Sequence, residues 1–128
     1  MLRKREIENV LVLSPFERYK YFIKRVADEE EMWSLENEEG ELAIAELNDK
    51  LVISFWSSKE FAEMCVEGNW KNFKPIKIDL SYFEAEVIPA IMDNGYLLNI
   101  FSKYNKSGFI VSIDEFLRDL NEELEKYS

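Results

Sequence analysis

Residues 107–124 read Ser107-Gly108-Phe109-Ile110-Val111-Ser112-Ile113-Asp114-Glu115-Phe116-Leu117-Arg118-Asp119-Leu120-Asn121-Glu122-Glu123-Leu124, and this stretch decides the fold class. After the turn pair Ser107-Gly108, Phe109 to Ile113 is rich in β-branched and aromatic residues, the types that fit a pleated surface. Ser112 and Glu115 then stand at capping-box spacing. In such a box the serine hydroxyl accepts from the backbone N–H three residues on, and the glutamate reaches back to the serine N–H. Phe116, Leu117, Leu120, Leu124 and Tyr127 follow at helical spacing. A strand therefore runs straight into a capped amphipathic helix.

Working outward, the Ser-x-x-Glu signal recurs at Ser14 and Glu17, at Ser57 and Glu60, and at Ser81 and Glu84. Pro15 follows the first box at the helical position where its missing N–H costs nothing. Phe16, Tyr19, Phe22, Ile23 and Val26 then form one stripe, with Glu17, Lys20 and Lys24 turned outward. Phe61, Met64 and Cys65 follow Ser57, with Gly68 as a left-handed stop. Phe83, Val87, Ile88 and Ile91 follow Ser81 and close at Asn94-Gly95. Pro89 inside that stretch must kink or shorten the helix, because its ring clashes with the preceding turn.

Strand character fills the gaps. Met32 to Leu35 is short and aromatic. Leu42 to Leu47 and Leu51 to Phe55 flank Asn48-Asp49-Lys50, a hairpin-length connection whose residues tolerate positive φ. Ile76, Ile78 and Leu80 alternate with Lys77 and Asp79, the period of a strand with one buried face. Tyr96 to Phe101 is a further candidate. The pattern predicts an α+β fold in which four helices cover one main face of a mixed, mainly antiparallel sheet of about five to six strands. Residues 1–9 are polar and basic and read as a loose or weakly helical start. The expected organisation is an N-terminal extension over 1–13 and one domain over 14–128, with no Gly- or Pro-rich linker inside it.

Composition narrows the function classes. The 128 residues are 47% hydrophobic and carry a net charge of −10 with a pI near 4.6. That field repels a polyanion and argues against nucleic acid as a partner. No apolar run approaches the ~20 residues of a membrane span, and the single cysteine precludes an internal disulfide; a cytoplasmic location is expected. Asp28, Glu29, Glu30, Glu31, Glu36, Glu38, Glu39 and Glu41 run without an intervening base. Asp114, Glu115, Asp119, Glu122, Glu123 and Glu125 form a second acidic stretch. Either these are solvated surface or they form a docking face for a basic partner.

Little in the chain suggests chemistry. With no histidine, the commonest general base and transition-metal ligand is missing. Cys65 lies beside Phe61 and Met64 and reads as a core thiol. Glu17, Glu60, Glu84 and Glu115 are claimed by the capping boxes. Glu36 to Glu41 lacks the acid ladder of a calcium loop and reads as a hairpin tip. No catalytic, metal-ligating or cofactor-binding residue is assigned.

Trp33, Trp56 and Trp70 fall near the ends of predicted elements. They are either core-edge rings whose indole N–H finds a partner, or the lining of a groove beside the acidic tip. The candidate partner-binding set is accordingly Trp33, Glu38, Glu39, Glu41, Trp56 and Trp70. The leading expectation is a non-enzymatic acidic protein-interaction module, of adaptor or immunity type, with a protein partner that is basic. The alternatives are a small-ligand-binding domain or carboxylate-dependent enzyme, and a homo-oligomeric structural subunit.

Arg18-Tyr19-x-x-Phe22, Val26-Ala27-Asp28 and Trp33-Ser34-Leu35 resemble the opening of a bacterial family known only as domain of unknown function 2750. The resemblance runs on through Phe55-Trp56-Ser57, Ala62-x-x-Cys65 and Trp70. It closes with Ile88-Pro89, Asn94-Gly95-Tyr96 and Asp114-Glu115-Phe116-Leu117. It covers most of the chain from Ser14 and fits least well at Glu36 to Glu41. It implies that Pro89 is a family feature. The second half is more distantly similar to the enhanced serine sensitivity protein B domain. Neither resemblance supplies a catalytic residue or a cofactor.

Overall fold

The computed structural model describes residues 2–103 and 106–126. Along the chain run α1 (Lys4–Leu11), α2 (Pro15–Glu29), β1 (Glu31–Glu36), β2 (Ile44–Leu47), β3 (Lys50–Phe55) and α3 (Lys59–Glu63). A 3-10 turn (Gly68–Trp70) leads to β4 (Lys74–Asp79). One continuous helical stretch follows, made of α4 (Leu80–Tyr82), a π turn (Phe83–Val87) and α5 (Ile88–Asn94). β5 (Leu97–Ile100), β6 (Phe109–Val111) and α6 (Ile113–Glu125) complete the order. The fold is α+β, as the alternation of strand and helix signals predicts.

The strands form a four-stranded sheet of order β2-β3-β5-β6 and a two-stranded ribbon, β1-β4. β3 and β5 are parallel, and the other pairings within these sheets are antiparallel. Trp33 and Trp56 exchange two backbone hydrogen bonds of 2.8 Å, so β1 joins the ribbon to the end of β3. β2 and β3 meet in a two-residue turn where Asn48 and Asp49 adopt φ of 53° and 67°, the left-handed conformation their side chains tolerate.

The register sorts side chains between the two faces of the larger sheet. Ile53, Leu98 and Val111 share one face with Phe55, Ile100 and Phe109. Rings interlock over that face: Phe55 meets Phe83 at 5.7 Å, Phe83 meets Phe116 at 5.8 Å, and Phe116 meets Phe22 at 6.1 Å. Val52, Ser54 and Asn99 look the other way. The stripes on α2 and α6 supply the helical side of the core, with Tyr19, Phe22, Ile23, Val26, Phe116 and Leu120 buried. Phe16, at the start of the α2 stripe, is half exposed, and Tyr127 lies outside the described residues.

Ser14 makes the complete capping box: its hydroxyl accepts from the Glu17 N–H and the Glu17 carboxylate accepts from the Ser14 N–H, both at 3.2 Å. Ser112 accepts from the Glu115 N–H at 3.2 Å. The other two boxes do not form. At the third helix the N-cap is Ser58 and not Ser57, and its side chain makes no cap bond. Glu60 accepts from the Leu2 N–H at 3.1 Å, a partner far along the chain and not the Ser57 N–H of the expected box. At α4 the cap is Asp79, whose carboxylate accepts from the Tyr82 N–H at 2.8 Å. β1 holds β4 up to the Glu31–Asp79 pair, and the Leu80 N–H donates to Glu30 O at 3.0 Å. The chain therefore turns helical at Leu80, before Ser81. Loss of a working cap costs about 1 kcal/mol. Ser14→Ala is expected to lower the unfolding free energy by about that much, whereas Ser81→Ala stays within about 0.5 kcal/mol. Urea unfolding of the two variants checks this, and equal losses would contradict the cap assignment.

Three further expectations change. Residues 4–11 form a helix that packs inward, with Val10 buried and Ile7 and Leu11 against the core, so the start of the chain is firmer than its polarity suggests. α3 ends at Glu63 and does not reach Gly68, which with φ 57° opens the 3-10 turn instead. Pro89, expected to kink or shorten its helix, does not shorten it, since the helical stretch runs on to Asn94. The turn before it widens to i→i+5 bonding, with the Ile88 N–H donating to Phe83 O, and this loosening gives the proline ring room.

Arg18 is 2% exposed and donates to Phe101 O at 3.1 Å and to Leu13 O at 2.7 Å. The Lys103 ammonium donates to Leu11 O. Lys103 thus serves a carbonyl of the last turn of α1, where the helix dipole favours positive charge, and Arg18 ties the link between α1 and α2 to the Phe101 backbone.

Candidate functional site

The connection from β1 to β2 is a hairpin tip built by one side chain. The Asn37 amide oxygen accepts from the N–H groups of Glu39 and Glu41 at 3.0 and 2.9 Å, and its amide nitrogen donates to the Glu41 carboxylate at 2.9 Å. Gly40 takes φ 81°, which lets the chain return so that Glu36 bridges Leu42. Glu38, Glu39 and Glu41 are therefore exposed and held at a fixed place. The Asn37 hydrogen bond keeps the Glu41 carboxyl below its ordinary pKa, so it stays charged.

Next to this tip lies an apolar groove of about 470 Å³, with Gly40 in its wall. Leu42, Ile53, Ile76, Ile78, Val87 and Ala90 form its apolar lining. β4 supplies Ile76 and Ile78 by strand alternation, and β3 supplies Ile53. The π turn brings Tyr82 and Val87, five positions apart, to the same groove. Tyr82 is 54% exposed. Asp79 and Glu86 add carboxylates to the lining, against Lys77 as its one base among the described residues.

The structure divides the tryptophans from the acids. Trp56 is 0% exposed, with its indole N–H donating to Ser102 O at 2.8 Å. It is a core residue with no surface to offer a partner. Trp33 is half-buried and donates to Glu31 at 3.3 Å. Trp70 packs edge-on to Trp56 at 6.0 Å and lines a different cleft. Glu38, Glu39 and Glu41 are exposed on the tip that contributes Gly40 to the groove, and none of the tryptophans lines it. The residues the sequence reading missed are Tyr82, Glu86, Asp79 and Ile76. Tyr82 carried the one local signal, an aromatic off the Phe83–Val87 stripe; the rest depends on β4, the hairpin and the helix meeting in space.

Cys65 is buried, its thiol 3.4 Å from Ser102 O, in agreement with a core role. Among the described residues no cluster of three or more Cys, Asp and Glu is placed to hold a metal ion. No helix among them is long and apolar enough to cross a membrane.

A family model described as protein of unknown function (DUF2750) matches residues 19–120. No curated protein matches the chain.

Proposed function

The chain belongs to the family of protein of unknown function DUF2750, and because that description carries no activity, we propose from the groove itself that the protein is a non-enzymatic interaction module for a basic partner. The observation that carries this reading is the apolar groove rimmed by carboxylates. Leu42, Ile76, Ile78 and Val87 offer a slot for apolar side chains and Asp79 and Glu86 line it with negative charge, while Glu38, Glu39 and Glu41 are exposed on the tip whose Gly40 stands in its wall. Buried apolar anchors supply binding energy, and rim charges set partner choice and encounter rate. A volume of about 470 Å³ suits one or two side chains of a short segment. The partner is thus a protein whose docking segment pairs apolar anchors with Lys or Arg, as an adaptor or an immunity-type protein would require. The net charge of −10 disfavours nucleic acid in the same place. We place the protein in the cytoplasm on the same reading.

The test uses the isotope-labelled chain and two designed peptides, one alternating Lys with Leu or Phe, the other with Glu in place of Lys. The basic peptide is expected to shift the methyl resonances of Ile76, Ile78 and Val87, and the acidic one to leave them unmoved. Tyr82→Ala is expected to weaken binding by at least about tenfold as the loss of an anchor. Glu86→Lys should weaken it about fivefold or more, with the effect shrinking at high salt. Binding that ignores charge, salt and Tyr82 would overturn the proposal. So would a dimer in solution that hides Tyr82, which points instead to a homo-oligomeric subunit.

A further inference from the structure

The face of the larger sheet away from the helices is not bare. The 64–70 segment lies across it and leaves a cleft of about 530 Å³, separate from the groove. We propose that this cleft binds a small neutral polyhydroxylated ring, a molecule of sugar size. The volume lies in the usual range of ligand sites, about 300–1,000 Å³.

The wall carries polar groups held in place and left incompletely used. Asn99 is buried, with its amide oxygen accepting from the Gly108 N–H at 2.8 Å and its amide nitrogen donating to the Ser54 hydroxyl at 3.1 Å. Those bonds fix the amide's orientation, and a carboxamide has one further N–H and one further lone pair to offer. Ser102 is 6% exposed, and its hydroxyl has no partner among the described residues. Its own carbonyl is held by the Trp56 indole at 2.8 Å and accepts from the Cys65 thiol at 3.4 Å, so the backbone that presents the hydroxyl is pinned. A buried hydroxyl without a partner is destabilising, and a ligand that bonds to it relieves that cost.

The rest of the lining selects the ligand class. Trp70, braced edge-on by Trp56 at 89°, gives an aromatic wall for the C–H face of a ring. Lys106 stands among the lining residues with Glu46 and Glu67. Charges of both signs, without a basic cluster, argue against a phosphorylated or multiply charged ligand. Hydroxyl groups both donate and accept, which matches an amide and a serine hydroxyl side by side.

The experiment titrates the labelled full-length chain with glucose, galactose, N-acetylglucosamine and maltose at millimolar concentration, with uridine monophosphate as the charged comparison. At least one sugar is expected to give saturable shifts of the Trp70 indole and Asn99 side-chain amide resonances. Ser102→Ala removes an unbonded hydroxyl and keeps the fold, and should weaken that binding about fivefold or more, the worth of one hydrogen bond. Trp70→Ala should abolish it, and Tyr82→Ala in the separate groove should leave it unchanged. Failure of every sugar to move Trp70 and Asn99 overturns the proposal. Shifts that survive in the Ser102 and Trp70 variants do so too, as does binding of uridine monophosphate alone.

Discussion

Gly108→Ala is expected to destabilise the protein by about 3 kcal/mol or more, beyond the ordinary cost of overpacking. A Cβ at this position would lie 2.0 Å from Ile100 O and 2.7 Å from the carbonyl carbons of Ile100 and Phe101. Those atoms are backbone, so no rotamer change can make room. Either β6 leaves β5 or the Ile100–Phe101 chain shifts, and the Gly108 N–H to Asn99 bond of 2.8 Å is strained in both cases. Gly40 and Gly68 are useful comparisons, because both have positive φ and nothing within 4 Å of where a methyl group would sit. Alanine there meets only backbone strain and should cost about 1 kcal/mol. Urea midpoints for the three variants provide the measurement. A Gly108→Ala protein within about 1 kcal/mol of wild type would mean that the two strands do not approach this closely. Total stability of a domain this size is on the order of 5–15 kcal/mol, so the loss is a large share of it.

Trp56→Ala is expected to cost about 3–5 kcal/mol, the range for deleting a large ring from a packed core. The side chain is 0% exposed, touches Trp70 edge-on at 6.0 Å and satisfies Ser102 O at 2.8 Å. Trp56→Phe retains most of the volume and loses the hydrogen bond, so it should cost about 1–2 kcal/mol. Trp33→Ala, at a half-buried site, should fall below Trp56→Ala. Denaturation curves for the three variants decide between a core and a surface role. A Trp56→Ala protein of nearly wild-type stability would return this residue to the candidate partner contacts.

The contrast between the two halves of the candidate site shows what was legible in the chain. The hairpin tip was readable because it is local: Asn37, Gly40 and the intervening glutamates make their own turn. So was the burial of Cys65, from the company of Phe61 and Met64. The groove was not, since Leu42, Ile78 and Tyr82 are brought together by β1–β4 pairing and a helix entry that no single stretch encodes. Gly108 is a case between the two. Ser107-Gly108 was visible as a turn signal, yet the glycine is required for its lack of a side chain against Ile100 and not for a left-handed backbone.

By its own pattern the sequence determined the class of fold, the strand-to-helix grammar and the helices at Ser14 and Ser112, where apolar spacing and cap agree over many residues. Tertiary structure alone decided that β3 and β5 run parallel, that Asp79 and not Ser81 caps α4, and that the turn before Pro89 widens. The physical reason is one of scale. A capping box is worth about 1 kcal/mol, so where strand pairing carries the chain to Asp79 and the Leu80 N–H to Glu30 O, packing overrides the local preference. The helices announced by Ser-x-x-Glu are real, and their first residues belong to the strands and neighbours that deliver them.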